Sequence, residues 1–99
     1  MPVRITVKNT KISEDTKAHL EDVFTKLRQY YDRIIDCEVI LEKGSRHGHV
    51  VEMKVQVPQH ALVARATIED DNLFKAIDEA RDRMEAQIKK HHDKLVEHR

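Results

Sequence analysis

Arg83, Gln87, Lys90 and Lys94 recur at steps of four, three and four residues, and they are the pattern in this chain most able to do chemistry. At roughly 100° per residue they fall on one flank of a helix. Cations at that spacing match a row of phosphates, and binding releases condensed counterions, with a log–log salt slope of about −0.7 to −0.9 per phosphate contacted. An amide such as Gln87, set between the bases, can bond a phosphate, a 2′-hydroxyl or a base edge. Asp78, Asp82 and Glu85 fall on the back or the opposite flank. Lys26 lies on the shoulder of an earlier helix near Tyr30, and Arg33 follows just beyond that helix. Residues 1–11 hold Arg4, Lys8 and Lys11 and no acid. The plain alternative is a solvated surface, with i,i+4 pairs such as Glu85 and Lys89 simply supporting the helix.

Other constellations are sparser. His47-Gly48-His49 has two imidazoles but no third ligand nearby, so turn residues are expected rather than a zinc site. His91 falls on the edge of an apolar stripe, and His92 points outward. Cys37 sits on the inward face of a strand, where a small buried hydrophobe is the default. Asp78 and Asp82 form a carboxylate pair on an exposed helix face, whereas acid–base catalysis wants a cleft and a perturbed pKa. Phe74 is placed to brace the second helix against the first, and Tyr30 or Tyr31 to stack on a base or to pack. HExxH, GxSxG, P-loop and paired CxxC patterns are lacking, so no enzyme, small-molecule substrate, metal or cofactor is expected.

The elements that must position these side chains are bounded by composition. The chain has 99 residues, of which 36% are charged and 39% hydrophobic, and Lys plus Arg balance Asp plus Glu at 18 each. That suits one domain, residues 1–99, with one core and an ionic surface. The single Cys fits a reducing compartment. No apolar run approaches the ~20 residues of a membrane span, and the first residues lack a signal-peptide stretch. A zero net charge sits awkwardly with nucleic-acid binding, so local sorting of charge has to carry that reading.

Val3, Ile5 and Val7 alternate with Arg4, Thr6 and Lys8, the period of a half-buried strand. Ser13 offers an N-cap, and Leu20, Val23, Phe24, Leu27 and Tyr31 form one stripe on a helix near 13–31. Ile35, Cys37, Val39 and Leu41 form the inward set of a second strand. The stretch Gly44-Ser45-Arg46-His47-Gly48 reads as a hairpin connection. Val51, Met53, Val55 and Val57 build a third strand, and Pro58-Gln59-His60 a turn. Leu62, Ala64, Ala66 and Ile68 line a fourth. Asp70 or Asp71 caps a long helix with the stripe Leu73, Ile77, Ala80, Met84, Ile88 and Leu95. The fold expected is α+β in the order β-α-β-β-β-α, a four-stranded mixed sheet with both helices on one face.

Two segments carry a resemblance. Lys26-Leu27-Arg28-Gln29-Tyr30-Tyr31-Asp32-Arg33-Ile34 resembles the end of the first helix in the ribosome hibernation-promoting factors, a family that includes the ribosome-associated inhibitor proteins. Glu69-Asp70-Asp71-Asn72-Leu73-Phe74-Lys75-Ala76-Ile77-Asp78 resembles the start of that family's second helix. Arg83-Met84-Glu85-Ala86-Gln87-Ile88-Lys89-Lys90-His91-His92-Asp93-Lys94 is similar to its basic "KLxRQLxKHKxK" run. The resemblance spans essentially the whole chain. Ala86 stands where the run usually has Arg, His92 where it often has Lys, and Val23 and Gln29 where some members have bases.

The resemblance implies a non-catalytic, cytoplasmic factor that binds the small ribosomal subunit and its ribosomal RNA between head and body. There it would occupy the messenger and transfer RNA channel and block translation in stationary phase or stress. A ribosome dimerisation factor is an implied further partner. It also implies a short family member, without the C-terminal domain that pairs ribosomes. Lys26, Arg83, Gln87, Lys90 and Lys94 occupy the family's RNA-facing positions, and Arg28, Arg33 and Lys89 are neighbouring bases that extend them. The alternative is a protein-interaction module, a sigma-factor modulator, using the exposed sheet face around Ile40 and Val63. A double-stranded RNA-binding domain would begin with a helix, whereas this chain begins with a strand.

Overall fold

The computed structural model describes residues 3–44, 48–69 and 71–97, with side chains described as far as Lys94. The order is β1 (Arg4–Lys8), α1 (Glu14–Tyr30), β2 (Asp36–Lys43), β3 (His49–Val57), β4 (His60–Ile68) and α2 (Leu73–Glu97). The four strands form one sheet in the order β1-β2-β3-β4. β1 runs parallel to β2, with Ile5 beside Val39, and the other neighbours are antiparallel. The α+β arrangement expected from the residue periods is the one observed.

Alternation puts Cys37, Val39 and Leu41 of β2, Val51, Met53, Val55 and Val57 of β3, and Ala64 and Ala66 of β4 on one buried face. Both helices cover it. α1 contributes Leu20, Val23, Phe24 and Leu27; α2 contributes Ala76, Ile77, Ala80, Met84 and Ile88. α2 packs mainly over β4 and β3. Small residues on both sides, Ala64 and Ala66 below and Ala76 and Ala80 above, permit that close approach. The opposite sheet face is wetter and carries charge in register, with Arg4 beside Glu38 and Glu52 beside Arg65.

The expected helix near 13–31 matches α1. Ser13 is its N-cap, its Oγ accepting from the Thr16 N–H at 3.1 Å, and Tyr31 is its C-cap. Two expectations need correction. The N-cap of α2 is not Asp71, and Asp70, the other candidate, lies outside the described residues. The cap is Asn72, whose Oδ1 accepts from the Lys75 N–H at 3.1 Å, because the cap must immediately precede the first helical residue, Leu73. Ile35 does not join the inward set of β2. It is 48% exposed and precedes the first ladder residue, Asp36, while Ile34 is the buried neighbour. Period two holds only within the paired strand.

Two connections bracket β3. Of the first, residues 45–47, including His47, lie outside the described residues; Gly44 N–H bonds Gly48 O at 3.0 Å. Gly48 has φ +102°, and a Cβ there would lie 2.3 Å from the Ile68 carbonyl oxygen, so only glycine fits. In the second, Pro58 ends the ladder and Gln59 takes φ +69°. The Gln56 amide braces that turn by donating to the carbonyls of Val57 at 2.9 Å and His60 at 2.8 Å.

Candidate nucleic-acid interface

The two helices lie side by side and point the same way. Near their starts, His19 Nε2 donates to Asp78 Oδ1 at 2.7 Å, and the His19 ring lies 4.8 Å from that of Phe74. Near their ends, Tyr31 meets His91 and His92 edge-on, each at 6.1 Å between ring centroids. Both helix C-termini therefore occupy one end of the molecule. The β3–β4 turn joins them there, its His60 lying 5.2 Å from His91.

This parallel arrangement brings several exposed cations of a chain of zero net charge to one end of the helix pair. Glu14, Asp15, Glu69 and Asp71 stand at the helix starts together with Lys11, Lys17 and Lys75, while Arg33, Lys89, Lys90 and Lys94 stand at the finishing end together with Asp32 and Asp93. Acids at helix N-termini and bases at C-termini also complement the peptide dipoles. Glu14 and Asp15 are exposed, as are Arg33, Lys89, Lys90 and Lys94.

Seven of the eight bases and amides picked out in the sequence divide into three places; the eighth, Arg33, lies exposed just beyond the end of α1. Arg83, Gln87, Lys90 and Lys94 share the flank of α2 beside the outer edge of β4. Arg83 Nη1 donates to the Arg65 carbonyl at 2.6 Å, and Gln87 Nε2 donates to the Val63 carbonyl. Arg83 Nη2 also meets Glu79 Oε1 at 2.8 Å. One helical turn, about 6 Å for four residues, is thus matched to two strand residues, about 6.7 Å. The Arg83 and Gln87 side chains cover carbonyls that an edge strand would otherwise leave open. Lys90 and Lys94 continue the flank as exposed cations.

Lys26 and Lys89 occupy the second place, the exposed side between the helices. Lys26 lies seven residues, about two turns, after His19, and Lys89 eleven residues, about three turns, after Asp78. Lys26 also pairs with Asp22 at 3.1 Å. Arg28 stands apart from both groups: its guanidinium lies beside Cys37, and its Nε and Nη2 are buried without a hydrogen-bond partner among the described residues. Burial pushes the Cys37 thiol above its ordinary value, and the adjacent Arg28 charge only partly opposes that. The thiol is 1% exposed, which fits a small core residue.

His91 behaves as an edge residue. Burial, helped by the positive charge of His60, His92 and Lys94, holds its imidazole below the ordinary value. Asp78 and Asp82, expected to be a solvated pair, meet Arg81 at 3.5 and 3.1 Å. No cluster of three or more metal-ligating side chains occurs among the described residues. Nor is any described helix long and apolar enough to cross a membrane.

Sequence reasoning missed the His60–His91 approach and the edge bonds of Arg83 and Gln87. The first had a faint signal, a histidine immediately after a Pro-containing turn. The second had none, since backbone carbonyls as partners leave no mark on residue types.

Residues 3–96 match the family model described as "Sigma 54 modulation protein / S30EA ribosomal protein". The chain is 34% identical over 98 residues to the Ribosome hibernation promoting factor of Escherichia coli K12, covering 99% of this chain and 100% of that one. It is 27% identical over 95 residues to the Ribosome hibernation promotion factor of Bacillus subtilis, covering 96% of this chain but only half of that longer relative. Among solved structures it is similar to a ribosomal subunit interface protein from Coxiella burnetii, at TM-score 0.83 and 20% identity, covering 94% of this chain and 99% of that one. It is also similar to the N-terminal domain of Thermus thermophilus Protein Y, at TM-score 0.76 and 25% identity, covering 92% and 99%. These names describe ribosome-associated factors rather than enzymes. On the match across nearly its whole length, the chain belongs to the Sigma 54 modulation protein / S30EA ribosomal protein family.

Proposed function

We propose that this protein is a cytoplasmic ribosome hibernation factor, with residues 1–99 acting as a single ribosome-binding domain. It binds the small ribosomal subunit in the channel for messenger RNA and transfer RNA, contacts ribosomal RNA there, and holds translation off in stationary phase or stress. A ribosome dimerisation factor is its further partner. The observation that supports this reading is the set of exposed cations toward the finishing end of the helix pair. Lys89, Lys90 and Lys94 project as exposed cations beside Arg33, on a chain whose net charge is zero. Affinity comes from these bases meeting RNA phosphates, and selectivity from the shape of the groove that admits an elongated molecule of 49 × 25 × 18 Å.

Arg83 and Gln87 take part as edge residues, holding α2 in register with β4 so that Lys90 and Lys94 present a fixed row. Arg28, turned toward Cys37, contributes to the core more than to the interface. Cosedimentation with purified small subunits tests the proposal. Binding at low salt that weakens steeply as salt rises is expected. No binding at low salt, or binding indifferent to salt, overturns it.

A further inference from the structure

Two adjacent tyrosines end α1, and they differ sharply in burial. Tyr31 is 6% exposed and wedged against His91 and His92; Tyr30 is 55% exposed. Tyr30 adds little to the core, while its neighbour packs edge-on against histidines of α2.

Its surroundings follow from the helix pairing. His19 and Asp78 are hydrogen-bonded, and the helices run in the same direction from that point. Tyr30 lies eleven residues after His19, and Lys89 eleven residues after Asp78, so the same three turns bring both to the exposed interhelical side. The Tyr31 contacts with His91 and His92 show that the helices are still adjacent there. Lys26, one turn before Tyr30 and paired with Asp22, and His92, one turn after Lys89 on neighbouring faces and beside Asp93, complete the surround; Glu85 lies one turn before Lys89. An exposed aromatic ring at a helix end, with cations on both sides, has the chemistry of a site for one unpaired nucleobase and its flanking phosphates.

We infer that Tyr30 is a stacking platform for an unpaired base of single-stranded RNA, with Lys26 and Lys89 meeting the phosphates on either side. This rests on the reading of the protein as an RNA-binding ribosome factor and names the part of the RNA that this side of the helix pair takes. A peptide partner is disfavoured by the cations around the ring, which suit a polyanion.

The chain has two tyrosines and no tryptophan, so its intrinsic emission can be made to report on this ring alone. In a Tyr31→Phe protein, Tyr30 is the sole tyrosine emitter. Titration with octa-adenylate at low salt is expected to quench that emission. Small-subunit binding is measured in parallel for wild type, Tyr30→Phe and Tyr30→Ala. The Phe variant, which keeps the ring, should bind like wild type, and the Ala variant about tenfold or more weaker. Unquenched Tyr30 emission together with equal binding by the Ala variant overturns the stacking site while leaving the ribosome reading standing. Quenching by the oligonucleotide without any subunit binding supports the stacking site and removes the ribosome reading instead.

Discussion

Gln87 donates its side-chain amide to the Val63 carbonyl, one helical turn after Arg83 reaches the carbonyl of Arg65. The second helix is thereby stitched along the edge of the sheet, and the two residues most suggestive of phosphate binding are also structural. The flank divides accordingly. Its first half holds the helix in place, and its second half, Lys90 and Lys94, stays open to solvent.

That division is measurable by denaturation. Gln87→Ala should lower the free energy of unfolding in urea by about 1 kcal/mol, the usual net value of one such hydrogen bond. Lys90→Ala should change it by less than about 0.5 kcal/mol, as is normal for surface substitutions. Equal effects at both positions would mean that the edge bonds contribute nothing in solution.

Tyr31→Phe should be tolerated. The Tyr31 hydroxyl is buried without a hydrogen-bond partner among the described residues, so removing it relieves a desolvated group while keeping the ring contacts with His91 and His92. The urea midpoint is expected to stay constant or rise, by up to about 1 kcal/mol in stability. A clear fall would show that the hydroxyl has a partner in solution.

Acid should loosen the end of the molecule where the histidines meet. The folded state holds His91 below its ordinary value of 6.5, so the unfolded chain takes up a proton first. The contribution is intact above that value and is lost as pH falls through the lower value of the folded state. Between pH 7 and pH 5 the melting temperature of wild type should therefore fall further than that of His91→Gln. Parallel curves for the two proteins would remove His91 as the source.

The Cys37 thiol should be inert in the native protein. Burial raises its pKa, so little thiolate forms and the sulfur is out of reach. Ellman's reagent at pH 8 is expected to react slowly with the folded chain and at once in denaturant. Fast native labelling would place the thiol at the surface.

How far the residues alone disclose this molecule depends on which interactions are local. Val51, Met53, Val55 and Val57 name their own strand, since a sheet buried on one face imposes period two on side chains. Leu20, Phe24 and Leu27 name α1 in the same way. Ile35 departs from its pattern because the alternation stops where pairing stops, and two preceding acids mask Asn72 as the cap. The cations are visible in the sequence, but their grouping is not. Lys26 and Lys89 share a side only because two helices, joined by a bond between residues 59 apart, run in parallel from His19 and Asp78. Arg28 looks like any surface base until β2 brings Cys37 beneath it.

The central claim, that an exposed row of cations on the last turns of α2 meets RNA phosphates, is tested most directly by Lys90→Glu combined with Lys94→Glu. The dissociation constant for purified small subunits should be measured against salt for this variant and for wild type, with circular dichroism and melting recorded alongside. The account predicts an unchanged fold, much weaker binding, and a salt slope shallower by about 1.4 to 1.8, as two fewer phosphates are neutralised. Binding with wild-type affinity and slope in a folded double variant would contradict it.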